Sequence, residues 1–304
     1  MLRNKILITG SSGLIGTSLK STFLAQGLEA IPFDLREHGY SMGDVRDLSR
    51  LRDVVAGVDG IVHLAAVSRV IWGEQNPELC RQTNVVGLRN ILRVAAESTI
   101  SPWVIFASSR EVYGQPDSFP VTEDFPISPV NIYGQTKVAG ENLIQVARRE
   151  GIRACTIRLS NVYGSIHDHV DRVIPAFTRA AAIGDTIRID GAENTFDFTH
   201  IEDVANGITS LATLLSDGKH LPPPIHFVSG VPTTLLDLAK LAIHLADSVS
   251  IIQHAPSRNF DVAHFYGSYS RARQLLGWAP AVPLRMGLER LIRAFQSELV
   301  SPTT

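Results

Sequence analysis

At 304 residues, 44% of them hydrophobic and 19% charged, the chain is long for one core and is expected to form one large α/β domain with a second lobe. Its formal net charge of -2 comes without a basic block, which argues against nucleic acid or an anionic membrane surface as a partner, so any bound anion has to be held locally. Cys80 and Cys155 stand far apart without metal-ligand spacing, which excludes a disulfide framework and fits a reducing compartment. No signal-peptide core and no run of about eighteen apolar residues is present, so a cytoplasmic protein without a membrane span is expected.

Lys5-Ile6-Leu7-Ile8-Thr9 reads as a first strand. Gly10-Ser11-Ser12-Gly13-Leu14-Ile15-Gly16 follows, and then a helical pattern to about Gly27. In this spacing the first glycine permits a tight turn, the second admits a pyrophosphate to the backbone, and the third allows close helix packing. A plain strand-to-helix connector is the alternative. The next strand, Glu29 to Phe33, ends in Asp34, about twenty residues past the loop, where a carboxylate accepts hydrogen bonds from an adenosine ribose and repels a 2′-phosphate. NAD is therefore expected over NADP, with the neighbouring Arg36 as the counter-argument. Asp44, in the turn Gly43 to Asp47, is placed to meet the adenine amino group. A helix N-cap is the alternative for Asp44 and the preferred reading for Asp47.

Gly60-Ile61-Val62-His63 starts another buried strand, whose exit Leu64-Ala65-Ala66 is small enough for a cofactor to pass, and His63 reads as a packed strand histidine. Residues 69–78 read as loop up to a helix start at Asn76-Pro77, and Thr83 to Glu97 as a long helix carrying Asn84. A buried mid-helix Asn is costly unless its amide is used, either by the site or by a structural hydrogen bond. Trp103 to Ala107 is an apolar strand ending at Ser108-Ser109, followed by Arg110-Glu111-Val112-Tyr113-Gly114, and active-site residues of parallel sheets sit at such carboxyl ends. After a proline-rich loop to Pro129, Asn131-Ile132-Tyr133-Gly134-Gln135-Thr136-Lys137 enters a helix to about Glu150, with Tyr133 and Lys137 on one face. A phenol titrates near pH 10, so it serves as an acid/base only beside a cation that favours the phenolate.

A strand at Arg153 to Leu159 exits through Ser160-Asn161-Val162-Tyr163-Gly164. Beyond it the expected elements are a helix around 172–184, a short strand at 186–189, a turn at 191–194, Phe196 to Val204 leading into a helix, a strand at 225–228, and amphipathic helices at 235–246 and 285–298.

With the glycine loop, Asp34, Asn84, Ser109 and Tyr133/Lys137 in this order, the chain resembles the extended short-chain dehydrogenase/reductase superfamily, in its sugar-nucleotide epimerase/dehydratase branch. His63-Leu64-Ala65-Ala66, Asn161-Val162-Tyr163-Gly164, Asp197 to Val204 and Leu276-Gly277-Trp278-Ala279-Pro280 extend the likeness over essentially the whole chain. The resemblance implies a Rossmann-type doubly wound parallel sheet binding NAD, residues 1–164 with a return segment at about 196–215, and a smaller α/β lobe, residues 165–195 and 220–304, over a nucleoside-diphosphate sugar. It makes Gly10, Ser12, Gly13, Leu14, Ile15, Gly16, Asp34, Asp44, Val45, Leu64, Ala65, Ala66, Asn84, Tyr133 and Lys137 cofactor residues. Tyr133 then takes the sugar hydroxyl proton, Lys137 holds the nicotinamide ribose and lowers the tyrosine pKa, and Ser109 assists. Asn161 and Arg258 match diphosphate-binding positions, a surface salt bridge being the alternative for Arg258. The helices around 83–97 and 133–150 resemble those that pair into a homodimer.

Two departures bear on the reaction. Phe196 stands where the family usually carries an arginine that clamps the diphosphate, which leaves that task to Arg172 or Arg188 and keeps a plain alcohol dehydrogenase among the alternatives. Glu111 lies two residues after Ser109, where family dehydratases and decarboxylases carry a carboxylate. Arg110 replaces the dehydratase acid that precedes it, and a guanidinium with a pKa above about 12 supplies no proton. The expected chemistry is thus C4 epimerisation, with Glu111 in the site and dehydration or decarboxylation as the alternatives. An intact Ser109, Tyr133 and Lys137 set argues against a non-catalytic NAD-binding regulator. His167-Asp168-His169 with Asp171 reads as a substrate-lobe loop rather than a metal cluster, and no metal is expected.

Overall fold

The structure, a computed structural model, describes residues 5–218, 220–258 and 262–300. The first half comprises β1 (Lys5–Thr9), α1 (Leu14–Ala25), β2 (Glu29–Phe33), α2 (Leu48–Val55), β3 (Gly60–His63), α3 (Val70–Gln75), α4 (Pro77–Arg81), α5 (Gly87–Glu97), β4 (Trp103–Ser109) and α6 (Ile132–Arg149). The second half holds β5 (Ala154–Leu159), β6 (Asn161–Tyr163), α7 (Val173–Ile183), β7 (Ile187–Asp190), β8 (Thr195–His200) and α8 (Ile201–Ser216). It ends with β9 (Ile225–Phe227), β10 (Pro232–Thr234), α9 (Leu235–Ala246), β11 (Ile252–Ala255), α10 (Ser270–Leu276) and α11 (Leu284–Val300).

Six parallel strands form the central sheet in the order β2-β1-β3-β4-β5-β9. Alternation along each strand builds a core on both faces. Ile6 and Ile8 pack with Leu19 and Phe23 of α1 and with Leu211 and Leu215 of α8, whereas Leu7 packs with Leu51 of α2 and with Leu88 and Ile91 of α5. Each such side chain, fully buried, stabilises the fold by ~1.5–3 kcal/mol relative to exposure. From β1 the chain runs outward to β2 and returns on the other side to β3, so the switch point, where such sheets bind ligands, lies between the carboxyl ends of β1 and β3. His63 is a packed strand histidine, as expected: its Nδ1 lies 2.7 Å from Thr9 Oγ1, and burial, followed by the Lys137 charge, pushes its pKa down to about 3.

The second lobe packs α7, α9 and α11 on β7 and β8 around Tyr163, Phe177, Phe198, Leu238 and Leu288. Its strands form two small sheets, β10-β8-β6 and β11-β7. Three sequence expectations are corrected. Residues 70–75 are helical rather than loop, and the run from Pro77 to Glu97 is broken only by a π-helical turn at Gln82–Val86. β9, expected in the outer lobe, pairs parallel with β5, Ile157 opposite Ile225, and α10 packs on the same core through Ala272. Of the return segment expected at about 196–215, α8 packs on the central sheet, whereas β8 pairs with β6 and β10 outside that sheet. A three-residue strand carries too little pattern to name its neighbour, and the same shortness hid β10 and β11.

Candidate active site

The loop after β1 is shaped by its glycines. Gly10 has φ +75°, and a Cβ there would lie 2.7 Å from Ala65 N and 2.9 Å from the Leu64 carbonyl carbon. At Gly16 a Cβ would come within contact of the Gly10 carbonyl oxygen, so α1 can start directly against the turn. Gly13 caps α1 without any side-chain hydrogen bond, and the first turn holds no acidic residue, so the helix N-terminus keeps its amide donors and partial positive charge for an anion. Asp34 at the end of β2 accepts from Ser12 N–H at 3.3 Å and from Arg36 N–H at 2.9 Å. A second carboxylate, Glu37, takes Ser11 Oγ–H at 2.8 Å and Lys20 Nζ at 2.9 Å, and the Lys20 bond foremost lowers its pKa. Asp44 is held by Arg46, which likewise lowers its pKa, while Asp47 is the N-cap of α2, accepting from Arg50 N–H at 3.0 Å.

Across the cleft, β4 delivers Ser109 and α6 delivers Tyr133 and Lys137. Asn131 caps α6 through Gly134 N–H at 2.7 Å, which fixes the first turn and the tyrosine on it. The Tyr133 hydroxyl lies beside Ser109, whose Oγ also accepts from Glu111 N–H at 3.2 Å. Burial raises the Tyr133 pKa, while Ser109 and Arg172 act to lower it. Lys137 is 4% exposed, donates to the Ala107 carbonyl at 2.7 Å and has its pKa pushed down to about 8 by burial. Its Nζ lies 5.6 Å from the Tyr133 ring centroid, over the ring, and 5.0 Å from that of Phe106. Among the groups that lower the Tyr133 pKa, Ser109 is the leading one.

Glu111, 5% exposed, sits on the turn Arg110–Tyr113 beside Ser109, and both of its carboxylate oxygens are engaged. Oε1 pairs with Arg110 Nη2 at 3.0 Å and Oε2 accepts from Asn131 Nδ2 at 2.8 Å. Asn131 thus couples Glu111 to the cap of the helix that carries Tyr133, a role the sequence reading missed although an Asn two residues before a helical tyrosine is a capping signature.

One cleft of about 1160 Å³ runs from the glycine loop to the second lobe. It is lined by the glycine-loop residues Gly10, Ser12, Gly13, Leu14, Ile15 and Gly16, by Asp34, Asp44 and Val45, and by Leu64, Ala65 and Ala66. Ser109, Glu111, Tyr133, Lys137, Asn161 and Arg258 line the same space. Asn84 does not. Its amide is consumed inside the fold, donating to Thr136 Oγ1 at 2.9 Å and accepting from Val67 N–H at 2.8 Å, so it ties the loop after β3 to α6 rather than facing the cleft. Thr136 in turn donates to the Tyr133 carbonyl at 2.7 Å.

In the second lobe Phe196 is buried on β8, and the Arg110 guanidinium lies 4.8 Å above its ring centroid. Arg172 and Arg188 line the cleft, Arg172 3.6 Å from Asp168 and Arg188 bonded to Asp190 at 2.9 Å. The His167-Asp168-His169 loop makes contacts across the cleft instead of converging on itself: Asp171 pairs with Arg69 at 2.5 Å, and His169 packs edge-on against Trp72 at 4.9 Å. Arg69 and Trp72 carried no signal alone, because their partners lie about a hundred residues away in the chain.

A family model described as the NAD dependent epimerase/dehydratase family matches residues 6–230. UDP-glucuronic acid decarboxylase 1 of Danio rerio is 29% identical over 98% of this chain and 74% of its own length. UDP-glucose 4-epimerase of Rhizobium meliloti (strain 1021) is 27% identical over 93% of this chain and 94% of its own. The crystal structure of DesIV, a dTDP-glucose 4,6-dehydratase from Streptomyces venezuelae with NAD bound, superimposes with a TM-score of 0.86 at 26% identity, covering 96% of this chain and 97% of DesIV.

Proposed function

The chain belongs to the NAD dependent epimerase/dehydratase family, and within it we propose a 4-epimerase of a nucleoside-diphosphate sugar. Bound NAD supplies a reversible two-electron acceptor for a sugar carbon. In the reaction Tyr133 removes the proton of the C4 hydroxyl, Ser109 bonds the same oxygen, and the Lys137 charge beneath the tyrosine ring favours the phenolate as it forms. The resulting ketone turns within the cleft and is reduced on its other face, Tyr133 returning the proton.

The observation that carries this reading is the commitment of Glu111. With its oxygens held by Arg110 and Asn131, Glu111 is not free to take the C5 proton, and the arginine in place of an acid at position 110 has no proton for a leaving hydroxyl. Epimerisation needs neither. Decarboxylation of a sugar acid is the second reading, favoured by the Glu at position 111 and by the likeness to the Danio rerio decarboxylase. Mass spectrometry and NMR of products from UDP-, dTDP-, GDP- and CDP-sugars test the proposal: an isomer is expected, and loss of water or carbon dioxide overturns it.

Glu111→Gln is expected to lower turnover modestly, toward the weak end of the about 10²–10⁴-fold span of a lost acid/base, because Asn131 and Arg110 lose only part of a partner. In deuterated water the product should carry no deuterium at C5. Deuterium there, abolished by Glu111→Gln, would move the assignment to dehydration.

Asp34 and Glu37 place two carboxylates at the end of β2 and beside the glycine loop, an environment hostile to a 2′-phosphate. Asp34→Ala is expected to weaken NAD by about 10- to 100-fold, the worth of a charge-assisted hydrogen bond, and to relax discrimination against NADP. Unchanged cofactor preference in a binding titration would remove Asp34 from that role.

A further inference from the structure

Arg110 departs from the family pattern, and beyond its pairing with Glu111 the proposed chemistry leaves the rest of its guanidinium without a task. It follows Ser109 directly, lines the cleft and is 9% exposed. Its guanidinium is packed between Phe196, 4.8 Å away, and Phe265, 5.9 Å away, so its plane is held by two rings. Nη2 is paired with Glu111, but Nη1, also buried, has no hydrogen-bond partner among the described residues. A buried guanidinium nitrogen left unpaired is costly, and native folds keep few such groups without a reason. The fold maintains this one beside the hydroxyl that addresses the reacting carbon.

Resting on the epimerase reading above, we infer that Arg110 receives the carboxylate of a hexuronate, so that the substrate is a nucleoside-diphosphate sugar acid rather than a neutral hexose. A guanidinium has five donors in a planar fork and can bridge two carboxylates, Glu111 on one edge and the substrate on the other. A neutral hydroxymethyl group brings no charge to the fork.

The same contact directs the reaction. Oxidation at C4 turns a hexuronate into a β-keto acid, in which the C5–C6 bond can break, its electron pair moving to the C4 carbonyl oxygen while carbon dioxide departs. An ion pair to Arg110 keeps the negative charge on the carboxylate and opposes that departure. The carbon skeleton then survives until the ketone is reduced. The guanidinium thereby separates the two outcomes that the Ser109, Tyr133 and Lys137 set alone would serve equally.

The test uses the full chain supplied with NAD and two probes that differ at C6, UDP-glucuronate and UDP-glucose. Wild type should favour the uronate by about 10- to 100-fold in kcat/KM, the worth of a charged hydrogen bond. Arg110→Ser should lose that preference and release more carbon dioxide per epimer formed, while Arg110→Lys, which keeps the charge, should restore part of both. That partition between pentose and epimer does not move when a variant is merely less stable. Equal handling of the two probes by wild type overturns the inference and leaves the epimerase reading intact. If neither probe is isomerised, the epimerase reading falls only when the dTDP-, GDP- and CDP-sugars also yield no isomer, and in either case the ratio of the two probes' equilibrium affinities for wild type decides the inference: about tenfold or more in favour of the uronate supports it, and parity overturns it.

Discussion

Tyr133→Phe is expected to lower turnover by about 10²–10⁴-fold or more while leaving NAD bound, because it deletes the proton-transferring oxygen and little else. The substituted ring keeps its place on the first turn of α6, which Asn131 caps, and Lys137 keeps its bond to Ala107. The loss should appear in kcat, with the affinity for NAD close to that of wild type by fluorescence titration. Turnover within threefold of wild type would remove Tyr133 from the mechanism. Ser109→Ala serves as the companion variant: it takes away the leading influence that opposes the burial-driven rise of the tyrosine pKa, so the rising limb of its pH profile, set by the tyrosine acting as base, should move to higher pH.

The largest effect on stability is expected from Glu141, one turn after Lys137 on α6. Its carboxylate accepts from Arg158 at 2.9 and 2.6 Å and from Ser108 Oγ–H at 2.6 Å, and both ionic side chains are almost fully buried. Arg158 also donates to the Tyr113 hydroxyl and to the Glu123 carbonyl, and Tyr113 in turn lies 2.6 Å from His226 Nε2. This network joins α6 to β4, β5 and β9 behind the catalytic residues. Glu141→Ala leaves a buried guanidinium without its counter-charge and should cost ~3–5 kcal/mol in urea denaturation. Glu141→Gln, which keeps the hydrogen-bonding shape, should cost less. A loss below about 1 kcal/mol for the alanine variant would show that the pair is solvated and holds nothing in place.

What the sequence made legible was local. The turn after β1, the acidic residue ending β2, and the tyrosine and lysine four residues apart on α6 each follow from a short stretch whose geometry is set by neighbours in the chain. The packing of Arg110 between Phe196 and Phe265, and the pairing of Arg69 with Asp171, were invisible because each joins segments that meet only after the second lobe has folded onto the first. Asn84 illustrates the middle case. Its position inside a helix marks its amide as used, but only the π-helical turn decides that it points to Thr136 and Val67 rather than into the cleft. Asp197 was read only as part of the stretch leading into a helix and of the family likeness, yet it accepts backbone N–H bonds from Ser229 and Gly230 at 2.8 Å and from Gly267 at 3.3 Å, gathering loops that no sequence pattern associates.

The claim that the reaction passes through a ketone at C4 and ends in inversion there is tested most directly with a UDP-sugar deuterated at C4. The account predicts the 4-epimer with the label still on C4 and the carbon skeleton intact. Label transferred to C6 with loss of water, or label on C4 of a pentose after loss of carbon dioxide, would contradict it.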